Sequence, residues 1–125
     1  MQSNDGSDPG ADCLDPPYVQ RDEESALGPF QPIWDAWDVA DAQIRELPLA
    51  HFQEALRRQI EELREHLDNG KPDAAANEGI DIVCIGLNVL RWLDRTPEGI
   101  SRIAGARART RIEGQTMAIL EKYRV

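Results

Sequence analysis

Cysteine is almost absent from this 125-residue chain: Cys13 and Cys84 are its two, far apart and in unlike surroundings. A disulfide framework and a CxxC metal or redox pair are thereby excluded, and a reducing, cytoplasmic setting is expected. Long apolar runs are lacking too. No stretch approaches the roughly 18 residues needed to span a bilayer, and the N-terminus has no basic segment followed by an apolar one, so neither membrane insertion nor secretion is expected. Basic side chains are in the minority, 14 Lys and Arg against 23 Asp and Glu, for a net charge of −9. Such a balance argues against stable binding of nucleic acid, which needs a basic face to displace counterions.

The charge that is present is unevenly placed. Residues 1–48 carry eleven acids and two bases, whereas residues 49–125 carry twelve of each, so all of the net charge belongs to the first 48 positions. Residues 1–29 are rich in Asp, Gly, Ser and Pro and show no periodicity. A segment of that kind buries too little apolar surface to offset its ordering entropy. It is predicted to be a disordered acidic tail preceding a domain over residues 30–125.

Within that domain the apolar pattern is helical throughout. Ile33, Trp37, Ala40, Ile44 and Leu47 recur at alternating spacings of four and three, which predicts a helix over Pro32–Leu47 with Asp35, Asp38 and Asp41 on its solvated side. Phe52, Leu56, Ile60, Leu63 and Leu67 predict a second helix over Leu49–Leu67, closed by Asp68-Asn69-Gly70-Lys71 and a proline stop at Pro72. A third, Ala74–Leu93, is apolar nearly all round at its centre and is expected to be the buried element. Thr96-Pro97-Glu98 reads as an N-cap followed by proline at the first helical position. The helix it opens carries Arg102, Arg107, Arg109 and Arg111, and Gly105 and Gly114 interrupt its path toward Tyr123. The fold class is all-α, a bundle of four to five helices behind the acidic tail.

Acids on two consecutive helices carry the chemical signal. Glu62 and Glu65 are three apart on the second helix, and Glu78 and Asp81 repeat the spacing on the third. A tight connection makes these helices antiparallel neighbours, which allows the four carboxylates to converge at one level. Asp81 sits between Ile80 and Ile82, where a buried carboxylate must be paired, protonated or bound to a metal. With Glu78, Cys84 and Asn88 it forms a polar row that suggests a lined cavity. An all-oxygen set suits a hard cation such as Mg²⁺ or Mn²⁺, and the Glu-x-x-His spacing of di-iron bundles is missing.

Glu62-x-x-Glu65, then twelve intervening residues, then Glu78-x-x-Asp81, with Gly79-Ile80 and Ile82-Val83 around the second pair, resembles the ExxE…ExxD signature of the MazG-like all-α nucleotide pyrophosphohydrolases. The likeness covers roughly Leu49–Arg111. It implies Mg²⁺-dependent cleavage of a nucleoside triphosphate to monophosphate and pyrophosphate, in cleansing of the nucleotide pool, with Glu62, Glu65, Glu78 and Asp81 as metal-binding and catalytic residues. Which of the four acts as base stays open. The resemblance also aligns Arg102 and Arg107 with the family's phosphate-binding Lys and Arg, while Ala106 stands where the family usually has Asn. His51 and Asn88 are candidates for base or sugar binding. The family's habit of assembly implies a homodimer or homotetramer. Two other readings remain: a non-catalytic helical interaction protein on the same scaffold, and a phosphoribosyl-ATP pyrophosphatase-like hydrolase.

Overall fold

The structure, a computed structural model, describes residues 25–125. The tail expected over residues 1–29 therefore falls outside the described residues up to residue 24, as does Cys13. The described residues are helical with no strand, and they divide into two compact units, one over Pro29–Arg95 and one that includes Thr96–Val125.

The first unit is organised by α3 and α4. After a first turn at Gly28–Phe30, three short pieces lead into them: α1 (Gln31–Ala36), a 3₁₀ turn (Trp37–Ala40) and α2 (Asp41–Arg45). The single helix expected over Pro32–Leu47 is thus broken in its middle, where the chain docks on Arg91. A 3₁₀ turn has three residues per turn, so side chains at i and i+3 eclipse. Asp38 in this turn and Asp41 just after it face the same way, and both accept hydrogen bonds from Arg91 Nη1, at 2.9 and 2.8 Å. Arg91 Nη2 donates to the Trp34 carbonyl at 2.6 Å, and the guanidinium lies 3.9 Å from the centre of the Trp34 ring. Two of the aspartates expected on a solvated face are therefore ligands of a cation that is only 2 % exposed.

Pro48, in an extended conformation, ends this region and leads into α3 (Leu49–Asp68). At the far end of α3 the Lys71 N–H reaches back to the His66 carbonyl and the Gly70 N–H to that of Leu67, with Gly70 at φ +68°. This is a Schellman closure, which needs a left-handed residue where glycine costs least. Pro72, expected as a stop, is also the first residue of α4 (Pro72–Trp92), where its missing N–H costs nothing. The hairpin is antiparallel, since the Phe52 and Trp92 rings lie 5.4 Å apart at one end and His66 meets Glu78 at the other. α4 closes by the same pair of backbone bonds as α3, but with Asp94 at φ +65° in the glycine position. Arg45 Nη1 donates to Asp94 Oδ1 at 2.5 Å and holds that turn against α2.

Trp34, Ile44, Phe52, Ala75 and Leu87 form the buried core of this unit. One expectation is overturned: the centre of α4 is not wholly buried, because Ile80 is 46 % and Val83 38 % exposed. The pieces that pack on α4 within the unit are α1, the 3₁₀ turn, α2 and α3. Three short pieces and one helix do not surround a 21-residue helix.

The second unit contains α5 (Pro97–Arg107), a π turn (Ala108–Ile112) and α6 (Thr116–Lys122). Thr96 Oγ1 accepts the Gly99 N–H at 3.1 Å, the N-cap bond its sequence predicts. The π turn closes with the Glu113 N–H on the Ala108 carbonyl, and Gly114 at φ +77° reverses the chain before α6. Ile100 is buried, whereas Ile103, Ile112, Met117, Leu120 and Tyr123 are exposed. Among the described residues no helix is long and apolar enough to cross a membrane.

Candidate functional site

The first unit holds a cavity of about 530 Å³ with walls from the 3₁₀ turn, α2, α3 and α4. That volume lies in the range of ligand pockets. Its lining follows from helix periodicity. On α3, Ala55, Arg58, Gln59 and Glu62 recur at three- and four-residue spacings, and on α4, Asp81, Cys84, Ile85 and Asn88 do the same. Trp37, Ile44 and Leu47 close the side formed by the preceding pieces, and His51 and Phe52 lie at the start of α3.

The predicted site residues are distributed unequally around this cavity. Glu62, Asp81, His51 and Asn88 line it. Asp81 is exposed to the cavity rather than buried, so the burial expected from its apolar neighbours is not found. Glu78 lies beside the lining acids, its side chain 12 % exposed, with Oε2 3.1 Å from His66 Nε2. Its other oxygen, Oε1, is buried and has no hydrogen-bond partner. Burial pushes the Glu78 carboxyl above its ordinary range, the His66 contact opposes this, and the Glu62 charge together with the hydrogen bonding and charge of the Asp81 carboxyl add to the upward shift. Glu65 is exposed on α3 and is not among the lining residues. Arg102 and Arg107 are exposed on α5, in the second unit.

Three carboxylates thus repel one another at one level of the hairpin, and one of their oxygens is orphaned. A hard cation fits that donor set in chemistry, since all the donors are carboxylate oxygens and its charge would relieve both the repulsion and the unmet acceptor. Among the described residues, however, no three His, Cys, Asp or Glu side chains are drawn together as a ready coordination group. Glu78 is instead engaged by His66.

The rest of the lining is polar in a different way. Asn88 is 8 % exposed, and the Gln59 Oε1 is buried without a partner. Trp37 Nε1–H donates to Cys84 Sγ at 2.8 Å, and burial pushes the Cys84 thiol up, which keeps it protonated. Two carboxamides and an aromatic wall make a surface suited to a planar polar ring. Arg58 and Gln59 were not found from the sequence. Their signal was register: they precede Glu62 by four and three residues and so share its face of the helix.

Comparison of the chain with protein-family models, with curated proteins and with solved structures finds no match.

Proposed function

We propose that this protein is a metal-dependent nucleoside triphosphate pyrophosphohydrolase that cleaves an NTP or dNTP between the α and β phosphates, serving cytoplasmic nucleotide-pool cleansing. The observation that carries the reading is the convergence of Glu62 and Asp81 on one cavity that also presents Asn88 and His51, with the orphaned Glu78 oxygen beside them. Bound Mg²⁺, or Mn²⁺ in its place, would supply positive charge toward the phosphate oxygens and acidify the attacking water. Glu62, Glu78 and Asp81 are the residues that would hold it, and Glu65, one turn along α3, completes the ExxE…ExxD set. Water attacks the α phosphorus, the bond from that phosphorus to the bridging oxygen breaks, and pyrophosphate leaves. A carboxylate of the set takes the water's proton, and Asn88 and His51 orient the base or sugar.

The test is pyrophosphate release from a panel of ribo- and deoxynucleoside triphosphates with Mg²⁺ or Mn²⁺. Turnover of at least one is expected, falling by about 10²-fold or more in Asp81→Ala and Glu62→Ala, with unchanged far-UV circular dichroism. No turnover across the panel would sink the reading.

Self-association as a dimer or tetramer belongs to the same proposal. Leu56, Ile60 and Leu67 of α3 and Ile80 and Val83 of α4 are all at least one-third exposed, and a second copy would cover such surface. The same residues favour the second reading, a helical interaction protein, in which calorimetry finds neither Mg²⁺ nor nucleotide binding.

A further inference from the structure

Of the side chains that line the cavity, Arg58 is the one with a permanent positive charge. Its Nε donates to Glu54 Oε2 at 2.9 Å, and no acceptor among the described residues takes an N–H of either terminal nitrogen. The Glu54 carboxylate is already held by Arg57 through two bonds, at 3.0 and 2.6 Å. Those two arginines, Arg57 before Arg58, hold the Glu54 carboxyl down at about 2. Arg58 is thus one of two claimants on a single acid. Its side chain is 70 % exposed, so little holds it in place.

Its position matters more than its pairing. Arg58 lies one helical turn before Glu62, on the same face of α3, and Glu62 and Asp81 alone would repel a polyphosphate. A planar guanidinium with both terminal nitrogens free is the group that grips phosphate bidentately. The cavity beside it also presents an unanswered polar group: Asn88 is more than nine-tenths buried on its wall, and its carboxamide has no hydrogen-bond partner among the described residues.

We propose that Arg58 is a substrate-contacting residue that binds the β and γ phosphates and, after cleavage, the departing pyrophosphate. The inference rests on the pyrophosphohydrolase reading and deepens it. It adds an anion contact within the carboxylate-bearing hairpin itself, apart from those that the resemblance assigns to Arg102 and Arg107. Negative charge accumulates on the leaving group as the bridging bond breaks, so a cation placed there stabilises the transition state more than the bound substrate.

The probe is inorganic pyrophosphate with Mg²⁺, titrated into the full chain by calorimetry, alongside the turnover assay. Arg58→Ala should weaken pyrophosphate binding by about tenfold or more and lower kcat/KM by at least as much, with Arg58→Lys between it and the parent. Glu54→Gln, which releases Arg58, should leave binding equal or tighter. Thermal melts of each variant check that the fold is kept. Pyrophosphate affinity that is the same in Arg58→Ala and the parent, while the parent turns nucleotides over, overturns the inference and leaves the enzyme reading standing. Arg58-dependent pyrophosphate binding without turnover of any nucleotide supports the anion contact and removes the enzyme reading. No pyrophosphate binding by the parent overturns the inference as well.

Discussion

The two units of the chain use arginine in opposite ways. In residues 29–95, Arg91 is buried, bonded to two aspartates and a carbonyl, and stacked on Trp34. In residues 96–125, six basic side chains stand against three acidic ones, and Arg102, Arg107, Arg109 and Arg111 form no ion pair among the described residues. The apolar residues divide similarly. Phe52 is 4 % exposed and touches the rings of His51 and Trp92, whereas Met117 is 74 % exposed. The first unit pairs its buried guanidinium internally and leaves a cavity beside which the Gln59 and Glu78 oxygens stay unpartnered. The second presents charge and aliphatic surface outward. Arginine number therefore says little about role. What decides is whether acceptors are close enough to repay desolvation.

Substitutions can break this contrast or sharpen it. Phe52→Ala should cost about 3–5 kcal/mol through the lost transfer energy and the cavity left behind, while Met117→Ala should stay within about 0.5 kcal/mol. Urea denaturation of both variants measures the difference, and equal costs would erase the distinction between the units. Arg91→Met should cost about 2–3 kcal/mol, because it strands the Trp34 carbonyl and removes a charge from an aromatic face. Arg102→Met should be nearly neutral in the same experiment.

The smallest effect concerns pH. Glu78 has a folded-state pKa above its ordinary 4.5, so between that value and the raised one the folded chain binds more protons than the unfolded chain. Its contribution to stability therefore falls as pH rises through that window. Glu78→Gln should flatten this limb of a melting-temperature profile and raise the melting temperature at pH 7. A parallel profile for parent and variant would show that burial and the neighbouring acids do not act on Glu78 as described.

Much of the fold could be read from the residues. The three-four periodicity placed α3 and α4 to within two residues at each end, and Thr96-Pro97 placed the start of α5. These features depend on local rules, which need only neighbouring residues. The break at Trp37–Ala40 was hidden because that segment docks on Arg91, more than 50 positions away, and local pattern does not reveal such a partner. The exposure of Ile80 and Val83 was hidden for a related reason: an apolar sequence shows that a face favours burial, not that another element covers it. For the site, acid spacing put Glu62, Asp81 and Asn88 on faces that meet at one cavity. Arg58 and Gln59 escaped because, on a helix with many charges, an arginine beside an acid reads first as a surface ion pair.

The Arg91 cluster has a consequence for the order of assembly. The α3–α4 hairpin closes over a short connection, so its contacts are local in sequence and inexpensive in loop entropy. Residues 31–45, which supply the Trp37 and Ile44 wall, dock through hydrogen bonds spanning 47 to 57 positions. The cavity is thus a product of the later, long-range step and does not exist in the hairpin alone. Any ligand that binds only the docked arrangement stabilises it over the undocked one by RT ln(1 + c/Kd), where c is the free ligand concentration. Recognition at this cavity and retention of its outer wall are therefore one equilibrium.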